Sequence, residues 1–144
     1  MAHRPDLTDF TAIGRYVQRT TGPDDRILVW GALPDVYVSA NRQPAGVFLH
    51  DGYLTGNWAS RSTVLDPSVI TKEPYRSRWE LFLDDLAADP PELVIDAARP
   101  GTDWAGYSPS RYPLGAVLSD CYVPQASVDG LPVWRRDHTS CPTP

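Results

Sequence analysis

The sequence predicts an α/β domain in which helices flank a mainly parallel sheet. Patterns of helical spacing alternate along the chain with short apolar stretches. Two of these stretches, at 26–30 and 92–98, predict strands, and the second has the continuous apolar character of a buried parallel strand. A strong hairpin signal, Asp129-Gly130, then follows the last helix. The expected architecture is therefore three-layered, with an antiparallel β-hairpin at one edge of the sheet.

Length and charge narrow the class of protein. The 144 residues favour a single domain, for which we expect an ordered core over about 7–137 and flexible ends. The formal net charge of −5 argues against nucleic-acid binding, which needs a basic face. No apolar run approaches the roughly 18–20 residues that span a bilayer, and "MAHRPDLTDF" lacks the apolar centre of a signal peptide.

The first half of the chain predicts four elements. Phe10, Ile13 and Val17 recur at helical spacing, and Pro34 suits the first turn of a short helix. The expected elements are helices over 7–20 and 34–41 and strands over 26–30 and 46–50.

The second half opens with residues 51–74, a long stretch without periodicity, and such stretches are often functional. The spacing of Trp79, Phe82, Leu83 and Leu86 then predicts a helix that stops before Pro90. A strand over 92–98 and a helix over about 112–119, with Ser110 as its N-cap, complete the expected elements.

The hairpin brings the chain's two cysteines near each other. A two-residue turn at Asp129-Gly130 pairs Val128 with Leu131, and counting outward places Cys121 opposite His138. Cys141 lies three residues further on, so a disulfide fits the geometry and would indicate an oxidising compartment. Two unpaired thiols are the equally open alternative.

The strand–glycine–helix passage at 26–46 raises the question of a cofactor loop. Gly31 stands alone, without the GxGxxG or GxxxxGK[ST] spacing that brings a backbone close to phosphate. We interpret the passage as a structural crossover in which Trp30 and Tyr37 pack. No GxSxG motif or metal-ligand spacing occurs either, so we expect neither a cofactor nor a metal site.

The carboxyl ends of the strands are the expected binding edge, because ligands of open α/β sheets bind there. Aromatic side chains can stack on the C–H faces of sugars, while carboxylates and amides bind hydroxyls. The loops at this edge contain both kinds of side chain. Two alternatives stay open: a loop tryptophan often anchors its loop to the core, and Asp96 could simply cap a turn. The predicted carbohydrate-binding residues are Asp51, Tyr53, Asn57, Trp58, Asp96, Asp103 and Trp104.

Three segments follow a pattern that occurs together in one family. A strand ends in Trp-Gly, and Pro, an acidic residue, Tyr and an Arg-containing segment follow it. Asp-Pro-Pro and an apolar strand ending in Asp occupy 89–96, and the pattern closes on Val-Trp-Arg-Arg at 133–136. The matched positions of the first segment are Trp30, Gly31, Pro34, Asp35, Tyr37, Arg42, Pro44 and Ala45. From about 7 to 137 the chain thereby resembles the C-terminal soluble domain of GT-C superfamily membrane glycosyltransferases, which use polyprenyl-phosphate sugars (protein mannosyltransferase-like, aminoarabinose or arabinofuranosyl transferase-like).

The resemblance implies a non-catalytic module. In that family the catalytic carboxylate lies in a loop between transmembrane helices, so no catalytic residue carries over to this chain. The chain would lie at the extracytoplasmic face of the membrane, beside the transmembrane portion of the parent enzyme. There it would position an oligosaccharide acceptor, a lipid-linked sugar or the membrane active site. The excess of Arg over Lys, twelve to one, fits an actinobacterial parent.

Two other interpretations stay open at this point. The chain could be a free-standing ligand-binding domain or small enzyme that acts through Asp96 and His50. It could also be a structural module that contacts other envelope proteins. A reduced cysteine pair or turnover by the isolated chain would favour the first of these, the free-standing protein.

Overall fold

A computed structural model describes residues 10–31, 33–56, 66–98 and 105–141. Short helices and strands alternate through these ranges, as the sequence predicts. The helices are α1 (Thr11–Thr20), α2 (Asp35–Ala40), α3 (Gly52–Thr55), α4 (Tyr75–Ala88) and α5 (Pro113–Cys121). The strands are β1 (Ile27–Trp30), β2 (Leu93–Asp96), β3 (Tyr122–Val128) and β4 (Leu131–Arg136). Single turns of 3₁₀ helix occupy Pro67–Thr71, Ala105–Tyr107 and Pro109–Arg111.

The four strands form one mixed sheet in the order β1-β2-β4-β3. β1 and β2 run parallel, and their register places Trp30 opposite Asp96. β4 pairs antiparallel with both β2 and β3, so the C-terminal hairpin forms one side of the sheet with β3 at its edge. The protein therefore has the predicted α/β class and edge hairpin.

The expectation of a mainly parallel sheet is not confirmed. Of the pairings between the described strands, only that of β1 with β2 is parallel. The strand predicted over 46–50 does not form, and this part of the chain meets β1 at one isolated bridge between Ile27 and Pro44. Proline has no N–H with which to extend a ladder, and Gly46 then turns the chain away at φ +80°.

Helices pack on both faces of the sheet, because side chains alternate along each strand. Ile27 and Val29 of β1 lie in a core cluster with Ile13 and Val17 of α1, and α2 contributes to the same cluster. Leu28 and Trp30 point to the other face, where α4 and α5 cover them.

Trp30 and Tyr37 pack, as the sequence predicts. Trp30 is 1% exposed and Tyr37 is buried. The Tyr37 hydroxyl accepts a hydrogen bond from the main-chain N–H of Val29 at 2.8 Å, which satisfies a donor of the edge strand.

Four aromatic residues form the centre of the second cluster. The Trp79 and Tyr112 rings stack at 5.9 Å between centroids, Trp30 lies 5.8 Å from each of them, and Phe82 meets Trp79 edge-on. The indole N–H of Trp79 donates to the main-chain oxygen of Leu54 at 2.7 Å, which anchors α3 to α4. The cluster thus fixes loop segments as well as filling the core.

The hairpin confirms one predicted pairing and corrects another. Val128 pairs with Leu131, and Asp129 and Gly130 both have positive φ, as a type I′ turn requires. A bulge between Pro124 and Ala126 shifts the register by one residue. Cys121 therefore lies opposite Asp137 and not opposite His138. The main-chain oxygen of Cys121 accepts a hydrogen bond from the N–H of Asp137 at 2.8 Å.

The structure joins Cys121 and Cys141 in a disulfide, with their Cα atoms 5.1 Å apart. A turn over 137–140 brings the chain back towards Cys121. In this turn the Asp137 carboxylate accepts hydrogen bonds from the Thr139 N–H and from the Thr139 and Ser140 hydroxyls. These bonds, that of Ser140 above all, lower the pKa of Asp137 to about 2.

The start of α5 differs from the prediction. Ser110 does not cap this helix, because it lies within the preceding 3₁₀ turn at Pro109–Arg111. The helix begins at Pro113, after Tyr112, with no side-chain cap. Proline suits the first helical position because that residue needs no N–H partner there.

Candidate functional site

The carboxyl ends of β1 and β2 bring together three of the predicted site residues. Asp96 ends β2 opposite Trp30, the last residue of β1. The N–H of Asp51 donates to the main-chain oxygen of Gly31 at 3.3 Å, so α3 and its Tyr53 begin beside the same edge. Asp51, Tyr53 and Asp96 thus belong to one end of the sheet.

Gly31 permits the close approach of the segments that follow β1 and β2. Its φ is +131°, and a Cβ at this position would lie 2.9 Å from the Cβ of Ala97. Only glycine fits such a backbone conformation and contact without strain. The glycine after Trp30 therefore has a structural role, as expected for a crossover.

Asp96 is half-buried and closes a turn. Its Oδ1 accepts the N–H of Ala98 at 2.8 Å, which is the capping role that the sequence left open. Burial raises the pKa of Asp96 to about 6, although the hydrogen bond from Ala98 opposes that shift. The carboxyl group can therefore exchange a proton near neutral pH.

Asp51 lies inside the protein, where a large ligand could not reach it directly. The residue is 3% exposed, and its main-chain oxygen accepts the N–H groups of Leu54 and Thr55 at the start of α3. The hydroxyl of Thr55 donates to the same oxygen at 2.9 Å. Its main chain thus organises α3, on which Tyr53 is carried.

His50 lies beside Asp51, with 3.4 Å between Nδ1 and the nearer carboxylate oxygen. The same Nδ1 accepts the N–H of Gly52 at 2.8 Å, so it carries no proton of its own to donate. Burial lowers the pKa of His50, which also favours the neutral ring. We therefore treat the contact as one between a neutral imidazole and a carboxylate, and not as an ion pair.

Tyr53 is an exposed aromatic residue at this edge, at 43%. Its ring lies 6.0 Å from that of Phe48, and the Arg78 guanidinium carbon lies 5.7 Å from its centroid. Arg78 also donates to the main-chain oxygen of Tyr53 at 3.2 Å and lies 5.9 Å from the Tyr75 ring. We call Phe48, Tyr53, Tyr75 and Arg78 the Tyr53 surface.

Sequence reasoning missed three members of the Tyr53 surface. Tyr75 and Arg78 are three residues apart, so their proximity on α4 could be foreseen. Their contact with Tyr53 and Phe48 is a tertiary contact, which the spacing of residues along the sequence does not predict.

The other four predicted binding residues lie outside the described residues. They are Asn57 and Trp58 after α3, and Asp103 and Trp104 after β2. Their place in the site stays a prediction.

Tyr112 places a hydroxyl group in the core beneath this edge. Its oxygen is buried and has no hydrogen-bond partner in the part of the chain that the structure describes. Burial raises the pKa of Tyr112 to about 12, and the negative charges of Asp51 and Asp66 act in the same direction. The phenol is therefore neutral throughout the physiological range.

No helix in the described ranges combines the length and apolar character needed to cross a bilayer, and no three His, Cys, Asp or Glu side chains of these ranges gather as metal ligands. Comparison with protein-family models, curated proteins and solved structures finds no match to this chain.

Proposed function

We propose that this chain is a non-catalytic, carbohydrate-binding module of an integral-membrane glycosyltransferase that uses a polyprenyl-phosphate sugar donor. The sequence pattern of that family supports the proposal, and the first segment of the pattern coincides with the crossover after β1. The observation that carries it is the exposed Tyr53 ring beside the Arg78 guanidinium, 5.7 Å from its centroid.

The Tyr53 surface suits sugars for two reasons. An aromatic ring that is partly exposed can cover the apolar C–H face of a pyranose or furanose ring. The guanidinium group supplies several N–H donors in a fixed plane for hydroxyl or phosphate oxygens. Arg78 is itself held by the Tyr53 main-chain oxygen, so this donor group is positioned before a ligand arrives.

The disulfide between Cys121 and Cys141 supports an extracytoplasmic location. Disulfides persist in oxidising compartments and are rare where thiols are kept reduced. In this proposal the module faces the compartment in which lipid-linked sugars are transferred. There it holds the acceptor glycan or the lipid-linked sugar near the transmembrane portion of the enzyme.

An NMR titration with mannose and arabinose oligosaccharides tests the binding surface. Saturable shifts are expected at Tyr53, Tyr75 and Arg78. Tyr53→Ala should weaken binding by about tenfold, because it removes the stacking face, whereas Tyr53→Phe should retain it. Tyr16→Ala, a change on α1 at the opposite face of the sheet, is the matched control.

Unchanged spectra would contradict sugar binding and favour a module that contacts other envelope proteins. Trp58→Ala and Trp104→Ala extend the test to the predicted loop residues. These changes should weaken binding, while thermal unfolding of both variants stays cooperative. Loss of cooperative unfolding would assign those two residues to the core.

A small enzyme that acts through Asp96 and His50 is the second candidate, and one observation on Asp96 favours it. A carboxyl group with a pKa of about 6 is suited to general acid or base chemistry near neutral pH. In that case the isolated chain would show turnover that Asp96→Asn abolishes and Asp84→Asn, an exposed change on α4, leaves intact. The module proposal expects no turnover by either.

A further inference from the structure

A cavity of about 320 Å³ lies between α4 and α5, on the face of the sheet that they cover. Its walls come from the C-terminal half of α4, from α5, and from the part of the hairpin where β3 begins and β4 ends. The residues that line it are Leu83, Leu86, Ala87, Pro90, Val117, Cys121, Tyr122, Arg136 and Cys141.

The cavity lies at the other end of the sheet from the Tyr53 surface. Arg136 pairs with Tyr122, and its N–H donates to the main-chain oxygen of Glu92, just before β2 begins. Asp96 and α3 lie at the carboxyl end of the same strand. The two sites are therefore separate, and the inference below does not rest on the proposed function.

The lining is suited to an apolar ligand. Aliphatic side chains and the disulfide dominate it, and the Tyr122 hydroxyl is turned away to donate to the Pro91 oxygen at 2.6 Å. A pocket with such a lining can take up the apolar part of a ligand. A volume of about 320 Å³ falls at the lower end of the range for ligand pockets, so the occupant is small.

Arg136 is the one charged residue among the described residues that line the cavity. Its neighbour Arg135 points to the opposite face, where it bonds the Glu92 carboxylate at 3.1 Å and the Thr20 oxygen at 2.8 Å. The two consecutive arginines therefore lie on opposite faces of the sheet, and only Arg136 lines the cavity.

The side chain of Arg136 forms part of the cavity wall and carries a positive charge. An apolar cavity with a cation in its lining complements a molecule that has an apolar chain and an anionic head.

We propose that this cavity binds the chain of a small amphipathic anion, whose head group contacts Arg136. The aliphatic residues of α4 and α5 enclose the chain. The disulfide between Cys121 and Cys141 forms part of the same wall.

Isothermal titration with decyl phosphate tests the proposal, with decanol as the probe that lacks the charge. The unmodified chain should bind decyl phosphate saturably at one site. Ala87→Trp, an exposed position on α4 that lines the cavity, should fill it and weaken binding by tenfold or more. Ala88→Trp is the matched control, since this exposed neighbour faces a different cavity beside Arg26.

The role of Arg136 is tested separately. Arg136→Gln should weaken decyl phosphate binding by about tenfold, the scale of a charge-assisted hydrogen bond, and leave decanol unaffected. Arg136→Lys keeps the charge and should retain most of the affinity. Decanoate in place of decyl phosphate distinguishes a carboxylate from a phosphate head.

Three results would overturn the proposal. The first is no saturable binding by the unmodified chain. The second is equal binding by Ala87→Trp and Ala88→Trp, which would indicate unspecific uptake of amphiphile. The third is a dimer in sedimentation that Ala87→Trp dissociates, without decyl phosphate binding, because a second copy of the chain would then occupy the cavity.

Discussion

The indole N–H of Trp30 donates a hydrogen bond of 2.8 Å to the main-chain oxygen of Tyr107, a residue 77 positions further along the chain. Trp79, whose ring lies 5.8 Å from that of Trp30, holds the Leu54 oxygen in the same way. These two bonds tie the 3₁₀ turn at Ala105–Tyr107 and helix α3 to one aromatic cluster. The loops at the candidate site are therefore anchored from below by buried tryptophans.

Trp79→Phe should destabilise the fold and disturb the Tyr53 surface together. The change leaves the buried Leu54 oxygen without its donor, which costs about 1–3 kcal/mol of unfolding free energy. Urea unfolding measures the loss. Trp134→Phe, at a half-buried tryptophan packed against the same cluster, is the control. Equal losses in the two variants would mean that the bond to Leu54 has no special role.

Gly31→Ala should cost more than Gly130→Ala, although both glycines have positive φ. At Gly31 the new Cβ would lie 2.9 Å from the Ala97 Cβ, whereas at Gly130 it would meet nothing within 4 Å. We expect about 1 kcal/mol from backbone strain at Gly130 and at least about 2 kcal/mol at Gly31, where a steric clash is added. Thermal melts of the two variants give the comparison. Equal melting temperatures would contradict the close approach of the two segments.

Removal of the disulfide should lower the unfolding free energy by about 3 kcal/mol, the value expected for a loop of this length. The bond spans 20 residues of sequence. The double change Cys121→Ser and Cys141→Ser should lower the urea midpoint, and a reductant should lower that of the unmodified chain alone. A reductant effect on both proteins, or on neither, would argue against the bond.

Asp96 should make stability depend on pH. Its folded pKa of about 6 lies above the ordinary value of 3.8, so the folded state keeps a proton that the unfolded state releases between these values. The unfolding free energy therefore falls as pH rises from about 4 to about 6, and the loss is complete above that. The half-exposed carboxylate is screened by solvent, so the loss is on the order of 1 kcal/mol.

Asp96→Asn keeps an acceptor for the Ala98 N–H and removes the charge. It should therefore flatten the pH profile between pH 4 and 6 and stabilise the chain at neutral pH. Asp84→Asn, at an exposed position on α4, should leave the profile unchanged. A profile that Asp96→Asn does not alter would show that Asp96 is not the group responsible.

Local signals predicted much of the fold. The apolar stretches gave the positions of β1 and β2, and the spacing of Trp79, Phe82 and Leu86 located α4. The Asp-Gly turn fixed the first pair of the hairpin because its φ requirement is local. In each case the residues that determine the element lie within it.

The errors arose where a distant contact or an irregularity decides the structure. The stretch at 46–50 has apolar residues, yet Pro44 limits its pairing to a single bridge with β1. The bulge near Gln125 shifts the residue opposite Cys121 by one position. The alternating pattern of a strand does not predict such a bulge. Arg78 contacts Tyr53 only because α3 packs on α4, so Tyr53 is the one member of the Tyr53 surface that the sequence predicted.

The most direct measurement is an immunoblot of fractionated source cells with an antibody against this domain. The glycosyltransferase proposal predicts a membrane-bound band several times heavier than the 16.0 kDa of the chain. A band of 16.0 kDa in the soluble fraction would contradict it. The search would then turn to a small-molecule ligand near Asp96.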